Sequence, residues 1–176
     1  MISKRHVLTA GHCTHGMLAY QLDVIVGQHI RYPSDGKVYK TKKVTRHPRY
    51  KEFSHPTIPS VVESVDYDFS ILTLEKEVEL SPNVFPVCLP TDRSSISGNF
   101  LDGKMLTVSG WGKTEKESPS NELRSVKIPG IPSNECKKVL DPDEPNKIGP
   151  CHLCAGSLNA KTYSGFCNGD SGGSAP

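Results

Sequence analysis

The chain has 176 residues, 35% of them apolar, and balances 21 basic against 19 acidic side chains. It can therefore bury one sizeable core or two small ones, and it carries no global field that would draw it to nucleic acid or an anionic membrane. Fifteen glycines and fourteen prolines spread along its length argue against long helices and predict an all-β class built of short strands and turns.

In chain order, residues 7–10 form a short apolar run closed by Gly11, and residues 22–26 form a second one closed by Gly27. Both predict strands, and Pro33-Ser34-Asp35-Gly36 supplies the chemistry of the turn that follows. Residues 37–46 alternate loosely and predict a strand that His47-Pro48 ends, with a long loop after it. Seven basic residues lie between Lys37 and Lys51; they read as a solvated strand face ahead of an anion-binding surface. Residues 69–74 predict a buried strand emerging from a loop that holds Asp66 and Asp68. Residues 106–111 and 123–128 are two further strand candidates. Residues 133–140 carry the single helix signature, with Ser133 as N-cap, Glu135 in the first turn, Lys137 and Lys138 near the end and Pro142 as a stop.

Chemistry concentrates in three places. Gly169-Asp170-Ser171-Gly172-Gly173 lies near the end, Thr9-Ala10-Gly11-His12-Cys13 near the start, and Asp68 immediately before the apolar run that Phe69 opens. A hydroxyl is a poor nucleophile at neutral pH, so acyl transfer needs a base within reach of the serine and a third group that fixes the base's tautomer. His12, Asp68 and Ser171 supply those three functions. Glycines beside the serine allow the tight turn that aims backbone N–H groups at a developing oxyanion, and Gly169 and Gly172 meet that need.

These motifs, their order, and Val108-Ser109-Gly110-Trp111-Gly112 between them resemble the trypsin/chymotrypsin family of serine peptidases, over essentially all of residues 7–173. The resemblance implies two antiparallel Greek-key β-barrels within a single peptidase domain, the first over about residues 1–100 and part of the second over about 101–176, with the family's N-terminal and C-terminal strands missing. It further implies that Ser171 attacks the scissile carbonyl, that His12 is general base and then general acid, and that Asp68 orients the imidazole; the N–H groups of Gly169 and Ser171 form the oxyanion hole. Asp68 is chosen over Asp66 because the family aspartate directly precedes the buried strand. Asp170 matches the carboxylate that, in relatives, pairs with a new N-terminal ammonium after a pro-segment is cut. Met1 lies close before His12, so the given chain is expected to be a piece that cannot be activated by itself, with an open second core and of low stability.

The resemblance places the specificity pocket at Gly165, Phe166 and Asn168. Glycine where tryptic members have aspartate favours an apolar over a basic substrate side chain. Of the six cysteines, Cys136 and Cys154 are implied to be bonded to each other. Cys13 and Cys167 are expected to pair beyond the two ends and Cys88 with an upstream segment, while Cys151 stays unassigned. Cys151-His152-Leu153-Cys154 lacks the second ligand pair of a zinc site, and residues 27–37 lack the acidic oxygens of a calcium loop, so no metal and no cofactor are expected. The implied protein is a secreted, extracellular zymogen and a monomer. It acts on protein or peptide substrates, is open to protein inhibitors, and has no nucleic-acid or membrane partner. A non-catalytic homologue that binds proteins is the competing reading, as is an inactive fragment.

Overall fold

The computed structural model describes residues 1–54, 62–90, 103–114, 118–140, 152–156 and 168–173. Among the described residues, nine strands and one α-helix follow each other in the order β1 His6–Thr9, β2 Asp23–Val26, β3 Lys37–Arg46, β4 Lys51–Ser54, β5 Val62–Asp66, β6 Ser70–Leu74, β7 Met105–Gly110, β8 Arg124–Ile131, α1 Ser133–Leu140 and β9 Cys154–Ala155. The all-β expectation holds. The chain separates into two compact units, one of residues 1–89 with 120–123 and 171–173, the other of residues 90–119, 124–170 and 174–176.

The first unit is organised on a four-stranded antiparallel sheet in the order β1-β6-β3-β2. Strand β6 takes a central place because its sequence, Ser-Ile-Leu-Thr-Leu, buries every second residue: Ser70, Leu72 and Leu74 point inward. Leu74 joins Tyr39 and Val78 in the core, against Val7, Val24, Val26 and Val84. Fully burying a leucine of this kind contributes about 2 kcal/mol. On β3, Tyr39 and Thr41 face inward, and a bulge then shifts the register between Thr41 and Lys43. The extra residue lets two consecutive lysines, Lys42 and Lys43, both remain exposed. On the same strand Lys37 pairs with Glu79 at 2.8 Å and Lys40 with Asp23 at 2.7 Å, so the basic stretch is a solvated face with counter-charges.

The turn chemistry before β3 is realised in detail. Asp35 Oδ1 accepts the N–H groups of His29 and Ile30, both at 2.9 Å, which holds its carboxyl below the ordinary value. Asn121 grips the same loop from residues 120–123: its Oδ1 accepts Tyr32 N–H at 2.7 Å and its Nδ2 donates to Tyr32 carbonyl oxygen at 3.0 Å.

In the second unit β8 lies between β7 and β9. Leu106, Val108 and Ile128 form a small core with Val126 and Ala155 packed on it. Helix α1 occupies the expected span, with one correction. Pro132, not Ser133, caps it: the carbonyl of Pro132 accepts the N–H groups of Glu135 and Cys136 at 3.0 Å, which makes Ser133 the first helical residue. Cys136 and Cys154 are joined in a disulfide, Cα to Cα 6.3 Å, tying α1 to β9.

Three elements differ from expectation. The long loop after β3 contains an antiparallel pair, β4 with β5, that has a register shift at Ser54. Strand β9 is only two residues long and pairs Ala155 with Gly130 and Cys154 with Ile131. Two 3-10 turns, His12–Thr14 and Ala19–Gln21, follow β1. Among the described residues no helix is long and apolar enough to cross a membrane.

Candidate active site

The C-terminal end of β1 delivers the chain to Gly11, and the 3-10 turn His12–Thr14 begins directly after it. Glycine is required at residue 11 by contact. A Cβ there would lie 2.7 Å from the ring of Tyr50 and 3.1 Å from Asp68 Oδ1, too close for either neighbour to stay in place.

Asp68 reaches the same point from the other side. Tyr67, immediately before it, has φ of 51°, a left-handed conformation that is uncommon for a large side chain. The ring of Tyr67 has two partners. His47 stacks on it with centroids 4.8 Å apart, and the Arg49 guanidinium carbon lies 4.3 Å from its centroid. His47 N–H also donates to Phe69 carbonyl oxygen at 2.9 Å, so the residues flanking Asp68 are both fixed.

The result is a forked contact. Asp68 Oδ1 accepts the backbone N–H of His12 at 2.7 Å, and Asp68 Oδ2 accepts from His12 Nδ1 at 2.7 Å. A carboxylate only accepts, so the imidazole proton is on Nδ1 and the lone pair is on Nε2. The side chains are 40% and 23% exposed for His12 and Asp68, which leaves the ring open to an approaching group while its partner is largely covered.

Ser171, Gly172 and Gly173 belong to the same unit as His12 and Asp68. Gly172 has φ of 82°; a Cβ on it would overlap Thr9 Oγ1 and lie 3.3 Å from Ala10 N. The turn therefore rests on the strand end that leads into His12. Cys13 Sγ lies 3.4 Å from His12 Nε2 and donates to the carbonyl oxygen of Ser171 at 3.6 Å. Burial, reinforced by the charge of Asp68, pushes the Cys13 thiol pKa up, so it is a neutral donor there and a weak nucleophile. Its position beside Nε2 has no signal in the sequence beyond adjacency to His12.

In the second unit, residues 168–170 lie against the Gly-Trp-Gly segment. Asn168 carbonyl oxygen accepts Lys113 N–H at 2.9 Å, and Asp170 Oδ1 accepts Gly112 N–H at 2.7 Å. Gly169 has φ of 102°. A Cβ on either Gly110 or Gly112 would overlap the Asp170 carboxylate. Sequence reasoning noted both glycines as family landmarks and missed what they make room for. Gly165 and Phe166 lie outside the described residues, as do Cys151 and Cys167. Cys13 and Cys88 are thiols in this structure, and Cys154 is committed to its disulfide. No group of three or more metal-ligating side chains occurs among the described residues.

Comparison with known proteins agrees with this geometry. The Trypsin family model matches residues 1–175. Trypsin 5G1 of Aedes aegypti is 36% identical over 175 residues, covering 98% of this chain and 58% of that protein. Serine protease filzig of Drosophila melanogaster is 32% identical over 176 residues, 98% of this chain and 10% of its own length. Complement C1s subcomponent of Sus scrofa is 28% identical over 184 residues, 98% of this chain and 25% of its own. The chain thus spans less than two thirds of each of these relatives. A family match over nearly every residue, on an all-β chain whose histidine and aspartate meet as the motifs require, leads to one assignment: this chain belongs to the trypsin-like serine peptidase family.

Proposed function

We propose that the protein is a serine endopeptidase in which Ser171 is the nucleophile, His12 the general base and Asp68 the group that orients it. The observation that carries this reading is the fork between Asp68 and His12, two contacts of 2.7 Å from one carboxylate to one residue. With Nδ1 occupied, Nε2 is the nitrogen able to take the proton of an attacking hydroxyl and return it to the leaving amine. Asp68 stabilises the imidazolium that forms between those two transfers. The N–H groups of Gly169 and Ser171 donate to the oxyanion, a contribution of about 3–4 kcal/mol per donor in well-formed sites. The positive φ values of Gly169 and Gly172 support a backbone turn of the kind such donors need.

Substrates on this reading are proteins or peptides. Gly165 and Phe166, with no carboxylate at the pocket floor, favour an apolar side chain ahead of the scissile bond, with Asn168 at the pocket rim. Asp170 takes the role of the activation carboxylate and Gly112 N–H is one of its donors. The protein is secreted as a zymogen, acts as a monomer outside the cell and is a target for protein inhibitors. The disulfide between Cys136 and Cys154 supports an oxidising compartment.

A fluorophosphonate probe tests the central claim. Labelling that maps to Ser171 and is lost in Ser171→Ala and strongly slowed in His12→Ala is the expected result. A folded, activated protein that takes no label sinks the proposal.

A further inference from the structure

The fork between His12 and Asp68 has a buried counterpart two residues along each segment. Thr14 and Ser70 are each 1% exposed. Their hydroxyl oxygens lie 3.1 Å apart in a hydrogen bond, and Thr14 Oγ1 donates to Gly11 carbonyl oxygen at 3.0 Å. Both cross-links join residues separated by 56 positions, 12 to 68 and 14 to 70. The 3-10 turn that carries His12 is thus fastened to the segment of Asp68 and β6 at two points, one polar and half-open, the other neutral and dry. At the far end of the same turn Arg46 Nη1 donates to Thr14 carbonyl oxygen at 2.6 Å.

Two points of attachment do what one cannot. A single turn of three residues, with hydrogen bonds from Thr14 N–H to Gly11 and from His15 N–H to His12, has little rigidity of its own. The carboxylate fork fixes how far His12 stands from Asp68, yet the turn could still tilt about that contact and swing Nε2 sideways. The Thr14–Ser70 bond is a second contact, two residues further along each segment, and it opposes the tilt. Misplacement of a catalytic group by about 1 Å costs on the order of a hundredfold in rate, so a neutral contact remote from the reacting atoms can govern the efficiency of the base.

We propose that Thr14 and Ser70 are positioning residues that set the orientation of the His12 imidazole on Asp68, an inference that rests on the proteolytic reading above. The test uses the activated protein and two readouts: the rate of fluorophosphonate capture at Ser171, and the sharpness of the downfield NMR signal of the His12 Nδ1 proton. Ser70→Ala leaves Thr14 its bond to Gly11 and should keep the fold. Capture should slow about tenfold and the Nδ1 signal should broaden. Thr14→Val should do the same or more, and Thr14→Ser, which keeps the hydroxyl, should restore both readouts. A Ser70→Ala protein that reacts at the unmodified rate with a sharp Nδ1 signal overturns the proposal, as does a Thr14→Ser protein as slow as Thr14→Val. Should the unmodified protein take no label, the enzymatic reading falls, and loss of the Nδ1 signal in Ser70→Ala still upholds the positioning role.

Discussion

Replacing Thr41 with valine should stabilise the first unit, and the same replacement at Thr14 should destabilise it. Thr41 is 4% exposed on β3, opposite Leu74, and its hydroxyl is the one buried side-chain polar atom without a partner among the described residues. An orphaned buried hydroxyl costs about 1–3 kcal/mol, and valine puts a methyl group of similar size beside Tyr39 and Leu74, where burial is favourable. The expected gain for Thr41→Val is about 1–2 kcal/mol, or roughly 2–8 °C in thermal midpoint for a protein of this size. Thr14 is 1% exposed, but its hydroxyl bonds Gly11 carbonyl oxygen and Ser70. Removing it strands both partners in a dry site, so Thr14→Val should lose about 1–3 kcal/mol. Urea unfolding followed by circular dichroism, with the slope compared between variants, measures both. If the two substitutions shift the midpoint in the same direction, partner satisfaction is not what decides the sign at these positions, and the reasoning fails.

Three further outcomes follow from the same structure. Gly112→Ala forces a Cβ into the Asp170 carboxylate; the hydrogen bond from Gly112 N–H to Asp170 should break, with a loss of about 1–3 kcal/mol, visible as a lower thermal midpoint and faster amide exchange at residue 112. Removing the disulfide by Cys136→Ser, whose partner Cys154 is 18 residues away, should cost about 3 kcal/mol through loop entropy, and an unchanged midpoint would show that α1 and β9 are held by packing alone. The Asp35 carboxyl is held below its ordinary 3.8 chiefly by the N–H of His29 and also that of Ile30. Because its folded value is depressed, its contribution is present above the unfolded pKa and fades as pH falls through the folded one. Amide protection at residues 29 and 30 should therefore drop as the solution is acidified below pH 3.8, and Asp35→Asn should abolish that step.

The elements that sequence predicted well are those whose local pattern and tertiary role coincide. Strand β6 alternates because it buries one face on the core, and α1 keeps its span because end charges and the stop at Pro142 agree. The pair β4 and β5 escaped because Pro56 and Pro59 punctuate the stretch between them and neither segment alternates cleanly. Their pairing is a tertiary choice made across that stretch. Strand β9, at two residues, is too short for any period to register; the edge of β8 and the disulfide to Cys136 place it. The helix cap moved by one residue for a related reason. Ser133 has the better capping side chain, but the backbone carbonyl of Pro132 is what the first helical N–H groups reach.

At the site the division runs differently. Few residue types are capable of nucleophilic or acid–base chemistry, so His12, Asp68 and Ser171 stand out in the sequence as candidates. The groups that hold them do not. Tyr67 adopts a left-handed backbone that no aromatic residue advertises, and it is kept there by His47 and Arg49, which come from a different stretch of chain. What the sequence does record of this scaffold is its negative image. Gly11 is vacant where Tyr50 and Asp68 approach, Gly110 and Gly112 where the Asp170 carboxylate enters, and Gly172 where Thr9 passes. Each glycine marks a contact whose other half lies elsewhere in the chain, so the motif glycines predict that a neighbour exists without naming it. An alanine at any one of the four should consequently displace an identifiable partner, the same one, Asp170, at both Gly110 and Gly112, and the damage should follow the identity of that partner more closely than the distance from Ser171.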